Sequence, residues 1–318
     1  MRKHTKPESE RFKGTSKWCQ YVLVRGLLTL LLQRLPIRFA YKFGQSIGWL
    51  CWKLLKKRRE VVSNNLRVAN IWIQKCRITD EAPDGWEHLP DLHNQVREVF
   101  LRSGANLFSG FCFNTMSPAR MAEHIDVEGL EHLEGALSEG RGALFLLAHM
   151  GPWEALSQFS TLAKDYGIEA QFGAIYRPLN NAYLDRWIKQ VREARGMSLY
   201  SRRDGFHRSV EFLKSGGVLG VLADQKMHQG VAVEFFGEVC KTSPLPGLFQ
   251  RRSGVPMIAL SLQTLGIAKW RIRLTSVDLL PIENDRSRES EARITNRELE
   301  KVFSVSPLDV FWFHNRFR

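Results

Sequence analysis

The sequence predicts an α/β fold with a mainly parallel sheet covered by helices, preceded by an N-terminal helical membrane-associating segment. Two features of the chain support this fold class. From residue 142 onward, short and almost wholly apolar runs alternate with longer amphipathic segments, as in strands buried on both faces between helices. Before residue 60, basic side chains flank an apolar stretch, which is typical of a helix that lies on a membrane.

The order of the elements follows from the length and the period of each run. We predict strands over residues 142–148, 169–175, 218–223 and 257–262, and helices over 153–166, 181–195, 205–214 and 246–252. Residues 269–277 alternate apolar and charged side chains, which indicates an edge or antiparallel strand, and residues 287–303 form a charged helix. Upstream, residues 15–70 and 93–115 are helical with a break at Leu35-Pro36, and residues 77–92 form a loop.

The net charge of +13 is concentrated at one end of the chain. Residues 1–60 contain 15 Lys and Arg against 3 Asp and Glu, a net of +12, so residues 61–318 have a net charge near +1. A nucleic-acid-binding protein normally has its basic surface on the folded body, so we expect no nucleic-acid partner. The charge instead predicts contact with an anionic membrane surface. We therefore divide the chain into a basic membrane-anchor segment, 1–60, and a second domain, 61–318.

The apolar part of the anchor is WCQYVLVRGLLTLLL, residues 18–32. These fifteen residues, interrupted by Arg25, are few for a helix that crosses a bilayer, which needs roughly 20. Basic residues flank both ends, including the run KKRR at 56–59, and positive flanks prefer the cytoplasmic side. An interfacial helix is the favoured interpretation. A spanning helix and a helix packed on the body as core are the alternatives.

The five cysteines are widely separated and include no CxxC pair. This pattern favours neither a disulfide framework nor a zinc site, and it is typical of a reducing compartment. We expect no metal and no cofactor.

The candidate catalytic residues lie in ALFLLAHMGPWEAL, residues 143–156. His149 follows a predicted strand, and Glu154 falls in the first turn of the next helix, across a Gly-Pro turn. A carboxylate bonded to one ring nitrogen leaves the other free to accept a proton, and backbone N–H groups near Gly151 favour developing negative charge. Attack of a hydroxyl on an acyl carbonyl requires such groups. The alternative is a hydrogen-bonded histidine at a strand end and a glutamate that caps a helix.

With its surroundings, AHMGPWE resembles the lysophospholipid acyltransferase superfamily, and within it the late lauroyl and myristoyl acyltransferases of lipid A biosynthesis. His149 and Glu154 match the family's H-x4-[DE] box. Further boxes occur in the family's order, namely RREVVSNNL at 58–66, IYRPLNN at 175–181, ADQ at 223–225, VEFFGEVCKTSPLPG at 233–247 and FWFHNRFR at 311–318. The resemblance covers residues 20–318, except that the loop 77–92 matches no family pattern.

The resemblance implies a glycerolipid-acyltransferase-like fold in residues 61–318 and an enzyme on the cytoplasmic face of a bacterial inner membrane. It would move a fatty acyl chain from acyl carrier protein to a hydroxyl of a lipid A precursor, with His149 as the base and Glu154 as its orienting acid. A lysophospholipid or another glycolipid is the alternative acceptor, and coenzyme A the alternative carrier. A membrane-binding protein of the same fold without catalysis is the alternative class.

The same resemblance supplies four substrate-binding candidates. Arg177 matches the family's functional arginine, and its forked guanidinium suits a phosphate or acyl-donor oxygens. Asp224, at a strand end, would bind polar groups of the acceptor or orient Arg177. Gly151 would contribute a backbone oxyanion donor. Arg316 is expected to pack internally near the site.

Overall fold

The computed structural model of the protein describes residues 14–26, 29, 35–78, 84–201, 206–279 and 287–317. Part of the predicted loop, residues 79–83, and part of the apolar anchor stretch, residues 27, 28 and 30–34, lie outside the described residues.

A seven-stranded sheet forms the centre of the described structure, in the order β1-β9-β8-β2-β5-β3-β4. Its strands are β1 (Ile125–Glu128), β2 (Ala143–Leu147), β3 (Phe172–Tyr176), β4 (Met197–Ser201), β5 (Val218–Leu222), β8 (Met257–Gly266) and β9 (Lys269–Ser276). Its pairs are parallel except for β8 and β9, which form an antiparallel hairpin. Strands β6 (Val231–Phe235) and β7 (Glu238–Thr242) form a separate hairpin.

Helices cover the sheet and extend from it at the N-terminal side. They are α1 (Thr15–Gly26), α2 (Ile37–Leu54), α3 (Lys56–Ile78), α4 (Leu92–Cys112), α5 (Pro118–Ala122), α6 (Leu130–Ser138), α7 (Phe159–Asp165), α8 (Ala182–Glu193), α9 (His207–Lys214), α10 (Leu245–Ser253) and α11 (Arg288–Val305). Short 3₁₀ turns occur at Asp84–Trp86, Phe113–Thr115, Trp153–Gln158 and Pro307–Asp309.

The predicted class, an α/β fold with a mainly parallel sheet and N-terminal helices, is confirmed. Strand β2 is wholly buried, as the continuous apolar run ALFLL requires for a central strand. The sequence analysis did not predict β1, β4 and the β6–β7 hairpin, because polar or charged residues interrupt these short strands, IDVE, MSLYS, VAVEF and EVCKT, and leave no continuous apolar run.

Helix α2 is joined to the body by a close crossing with α4. A Cβ atom on Gly44 would lie 2.4 Å from the carbonyl oxygen of Gly104, and one on Gly48 would lie 2.2 Å from that of Phe100. The two backbones therefore approach as closely as glycine allows. The predicted boundary at residue 60 falls inside α3, and the division of the chain at that point stays a prediction.

The outward face of the N-terminal helices is apolar. Phe39, Phe43, Leu50 and Leu54, spaced by 4, 7 and 4 residues along α2, are exposed, as are Trp18 and Leu23 on α1. No helix of the described residues is both long and apolar enough to span a bilayer. We call the residues Trp18, Leu23, Phe39, Phe43, Leu50 and Leu54 the apolar face.

Candidate active site

His149 and Asp224 meet because the two strands that carry them are parallel neighbours. Leu147 of β2 is paired with Leu222 of β5, and each functional residue follows two positions later, so both side chains leave the same face of the sheet. His149 Nδ1 lies 2.8 Å from Oδ1 of Asp224. This bond keeps the proton on Nδ1 and leaves Nε2 to act as the acceptor.

The protonation equilibria of the pair reflect burial and their mutual charge. Burial favours the neutral imidazole, but the charge and hydrogen bond of Asp224, with a smaller effect of Glu154, outweigh it and raise the pKa of His149 above its ordinary value. Burial would raise the pKa of Asp224, yet the charge and hydrogen bond of His149 lower it. Asp224 is therefore an anion that stabilises the imidazolium.

Glu154 has a different partner from the one the sequence analysis expected. Nη2 of Arg192, on α8, lies 2.9 Å from each carboxylate oxygen of Glu154. The hydrogen bond expected between Glu154 and His149 is replaced by the one from Asp224. Both side chains of the Glu154–Arg192 pair line the same cavity as His149, so this ion pair forms part of the cavity wall and affects His149 through its charge alone.

The turn after β2 is fixed by the C-terminal residues of the chain. The N–H of Gly151 donates to the carbonyl of Asp309 at 2.9 Å, and the N–H of Phe311 donates to the carbonyl of His149 at 2.8 Å. The expected oxyanion donor at Gly151 is therefore already engaged. Gly151 instead has a positive φ of 54° and lies against Leu262, where a Cβ would come within 2.8 Å of that side chain, so only glycine suits the turn.

The side chain of Asp309 helps to fix the turn that follows β2. Its buried carboxylate accepts hydrogen bonds from Ser306 Oγ at 2.6 Å, from Thr264 N at 2.8 Å and Oγ1 at 2.6 Å, and from Asn106 Nδ2 at 3.1 Å. A buried charge with this many donors is stable because its solvation is replaced in full. The network joins α4, β8 and the C-terminal segment next to the turn that contains His149.

Arg316 is buried, as expected, and it binds protein groups rather than facing the substrate cavity. Nη1 donates to the carbonyls of Gln225 at 3.1 Å and Lys241 at 2.7 Å, and Nη2 donates to Thr242 and Asn296. Its guanidinium lies over the ring of Phe235. Arg316 therefore holds the backbone at the end of β5 in place, directly after Asp224.

A cavity of about 650 Å³ opens at His149. Its wall includes alternate residues of three neighbouring strands, which point to one face of the sheet, namely Phe145 and Leu147, Phe172 and Ala174, and Val218, Gly220 and Leu222. A Cβ on Gly220 would lie 2.9 Å from Cδ1 of Leu147, so a side chain at this position would have to displace that methyl group within the cavity. We call this apolar, strand-lined part of the cavity the tunnel; polar residues, among them His149, Glu154 and Arg177, line the rest of the cavity.

Comparison with known proteins supports the same chemistry. Residues 92–318, which contain His149, Asp224 and the whole cavity wall, match the family model described as bacterial lipid A biosynthesis acyltransferase. The chain belongs to this acyltransferase family.

Individual relatives of this family member are distant but span most of its length. It is 23% identical over 305 residues to the lipid A biosynthesis lauroyltransferase of Escherichia coli, covering 92% of the chain and 89% of the relative. It is 22% identical to the lipid A biosynthesis palmitoleoyltransferase of the same organism over similar shares, 92% and 89%. A phosphatidylinositol mannoside acyltransferase of Mycolicibacterium smegmatis is 28% identical over 152 residues, which is 46% of the chain and 48% of that relative.

The structure of the acyltransferase puts Arg177 on the rim of the cavity. It follows β3 and is exposed, next to Leu179 and Asn180, which also line the opening. Helix α1 lies beside this rim, because Asn181 Nδ2 donates to the carbonyl of Lys17 at 2.8 Å and Tyr21 stacks on Tyr183. The rim that contains Arg177 is therefore adjacent to α1.

Three residues near His149 were missed by the sequence analysis. Arg192 pairs with Glu154, Gln225 contacts the His149 ring, and His314 lies with its ring centroid 6.1 Å from that of His149. Gln225 and His314 belong to quoted family boxes, so their position in those boxes was an available signal. Arg192 lies on the exposed-looking helix α8 and offered none.

Proposed function

We propose that this acyltransferase moves a fatty acyl chain from acyl carrier protein to a hydroxyl of a lipid A precursor on the cytoplasmic face of the inner membrane. The observation that carries the proposal is the cavity of about 650 Å³ that is lined both by His149 and by the apolar residues of three strands. Ligand cavities of this size are lined mainly by apolar groups with a few polar groups at the reacting end. A fatty acyl thioester has this distribution of polarity.

The reaction follows from the position of the base. The acceptor hydroxyl donates its proton to Nε2 of His149 while its oxygen attacks the thioester carbonyl carbon, and the negative charge moves to the carbonyl oxygen. Asp224 stabilises the imidazolium that forms. The carbonyl then re-forms, the C–S bond breaks, and the thiolate takes the proton from His149. The acyl group passes to the acceptor directly, without an acyl-enzyme.

The membrane provides the acceptor. Apolar side chains are exposed on α1 and α2, basic residues occur in α2 and α3, and α1 contacts the rim of the cavity. An amphipathic helical surface of this composition binds anionic lipid through apolar burial and charge together. Arg177 at the rim is placed to bind an acceptor phosphate or donor oxygens.

Another glycolipid is the second candidate acceptor. The relatives named phosphatidylinositol mannoside acyltransferases match about half of the chain. The chemistry at His149 would be the same with either acceptor. The choice of acceptor therefore depends on residues at the rim and on the membrane side of the site.

Purified enzyme with dodecanoyl acyl carrier protein and a panel of acceptors tests the proposal. We expect acylation of a lipid A precursor and little or none of a lysophospholipid or a phosphatidylinositol mannoside, measured by mass spectrometry. Lipid extracts of cells with and without the gene should differ by one acyl chain in lipid A. Preferential acylation of another acceptor, or no transfer to any of them, would overturn the lipid A assignment.

A further inference from the structure

We propose that the side-chain amide of Gln225 is the donor that stabilises the oxyanion during acyl transfer. The inference deepens the proposed function, since it concerns the attack of a hydroxyl on an acyl thioester at His149. It starts from a gap in the site: the backbone N–H of Gly151, the donor that the turn would have offered, is engaged by Asp309 at 2.9 Å. A tetrahedral intermediate needs a donor close to the base, and Gln225 supplies one.

Gln225 lies against the reacting side of His149. Its Nε2 is 3.1 Å from Nε2 of His149 and 3.4 Å from Nδ1. An atom almost equidistant from the two ring nitrogens cannot lie along the lone pair of Nε2, because that direction points away from Nδ1. The lone pair therefore remains open to an acceptor hydroxyl, while the amide N–H group is beside the position of the attacked carbonyl.

The backbone that carries the Gln225 side chain is held in place before the reaction. The backbone carbonyl of Gln225 accepts a hydrogen bond from the buried Arg316 at 3.1 Å, and the preceding residue, Asp224, is fixed by His149. Gln225 also lines the cavity. A donor that is already oriented in a partly dry cavity stabilises developing charge without reorganisation, which is why side-chain amides serve as oxyanion donors in other enzymes.

The role follows from the proton and charge movements. As the hydroxyl oxygen bonds to the thioester carbon, the carbonyl oxygen becomes negative. The two oxygens are then bonded to the same carbon atom and lie close together. The attacking oxygen is at His149 Nε2, so the oxyanion falls within reach of the Gln225 N–H groups. When the C–S bond breaks, the charge leaves with the sulfur and the Gln225 hydrogen bond weakens again.

Substitution of Gln225 tests this role in the full-length enzyme. Gln225→Ala should lower kcat for transfer by on the order of 10²–10³, the usual loss for one oxyanion donor, with KM for the acyl carrier protein thioester changed less than about threefold. Gln225→Glu has the same shape, but it places a carboxylate beside the oxyanion. Its kcat should therefore fall at least as far as that of Gln225→Ala. Gln229→Ala, an exposed glutamine of the same loop, is the matched control and should retain wild-type kcat.

Two readouts separate this inference from the proposed function. Slow hydrolysis of the dodecanoyl thioester, with water in place of the lipid hydroxyl, passes through the same oxyanion and needs no acceptor, so Gln225→Ala should lower it even if the lipid A assignment fails. A long-chain alkyl phosphonate, an anionic mimic of the intermediate, should bind Gln225→Ala more weakly by on the order of the same factor as the loss in kcat. Wild-type hydrolysis and phosphonate binding in Gln225→Ala, or a gain in kcat from removing the side chain, would overturn the proposal.

Discussion

At the scale of single residues, His149 depends on Asp224 for both its tautomer and its charge. Asp224 is 7% exposed, and the side chain of His149 is 17% exposed, with the rings of Trp153 and His314 beside it. Water therefore screens their interaction weakly. The charge and the hydrogen bond of Asp224 therefore raise the pKa of His149 in spite of its burial.

The pH profile reports this dependence. His149 must be neutral to accept a proton, and its pKa is raised above the ordinary value of 6.5. The wild-type kcat/KM should therefore rise with pH to a midpoint above 6.5. Asp224→Asn removes the anion and leaves burial to favour the neutral ring, so the midpoint should move to lower pH while the plateau falls. A midpoint that is unchanged in Asp224→Asn would contradict the pairing.

Glu154 and Arg192 are expected to matter less. Glu154→Gln removes one charge that raises the pKa of His149 and weakens the Arg192 pair, but it leaves the bond between His149 and Asp224. We expect the fold-loss in kcat to be less than about a tenth of the loss in Asp224→Asn. The midpoint of the pH profile should also shift slightly to lower pH. Measurement of both variants under the same conditions decides which carboxylate supports the base. A loss in Glu154→Gln equal to that in Asp224→Asn would restore the assignment made from the sequence.

The sequence could identify His149 but not its partner. Glu154 is five residues away along the chain, and local spacing made it the natural choice. Asp224 is 75 residues away and reaches His149 because β5, rather than β3, is the neighbour of β2. Strand order depends on the packing of the whole sheet. Sequence motifs place both Glu154 and Asp224 near His149 at one edge of the sheet, but they do not show which carboxylate contacts it.

At the scale of elements, the tunnel is a property of β2, β3 and β5 together. Gly220 lies midway along β5 and lines the tunnel opposite Leu147 and Ala174. The predicted helices and strands from residue 142 onward agree with the structure to within a few residues, because long apolar runs and amphipathic helices have clear periods. The tunnel itself was not predictable, since it depends on which small side chains face one another across strands.

Gly220→Val tests the tunnel as the acyl site. The added side chain points into the apolar space and meets the movable end of Leu147, so the fold should tolerate it. We expect the preferred acyl chain to shorten by a few carbons in competition between acyl carrier protein thioesters of different length. Gly135→Ala, at an exposed position with open space around it, is the control. Unchanged chain preference in Gly220→Val would show that the acyl group lies elsewhere.

Helix α11 contains a carboxylate whose environment disfavours its charge. Burial raises the pKa of Glu300 to about 7 and repulsion from nearby Glu234 adds to the increase, although the hydrogen bond donated by the N–H of Phe236 opposes it. The folded protein therefore binds more protons than the unfolded chain between the ordinary value of 4.5 and about 7. Stability from this group falls as pH rises through that window. Glu300→Gln should raise the melting temperature by on the order of a few °C at pH 8 and by much less at pH 5. Equal shifts at both pH values would contradict this.

At the scale of the whole molecule, the N-terminal helices and the site form one structure. Arg58 and Asn65 of α3 donate to backbone carbonyls of residues 312–314, and those residues continue from the segment that holds the His149 turn. The basic N-terminal part of α3 therefore supports the segment that holds the His149 turn as well as carrying charge. Composition shows where the positive charge is concentrated along the chain. No local sequence pattern indicates the long-range hydrogen bonds between α3 and residues 312–314.

Membrane binding is predicted to depend on the apolar face. Phe39→Glu with Leu54→Glu places two charges on exposed positions of α2, and it should lower binding to vesicles that contain anionic lipid, as measured by flotation. The control, Leu265→Glu with Ile267→Glu, changes equally exposed apolar residues on the β8–β9 hairpin. Both variants should melt close to wild type. Equal flotation of the two variants would show that the apolar face is not the contact.

The most direct test of the central claim is a double-mutant cycle on His149 and Asp224, read as the rate of acyl transfer. Each of His149→Ala and Asp224→Ala should lose on the order of 10²–10⁴ in kcat, the scale of general-base loss. Because a base and the carboxylate that orients it act as a unit, the double variant should be little worse than His149→Ala alone. Losses that multiply in the double variant would mean that the two residues act independently, and would contradict the account.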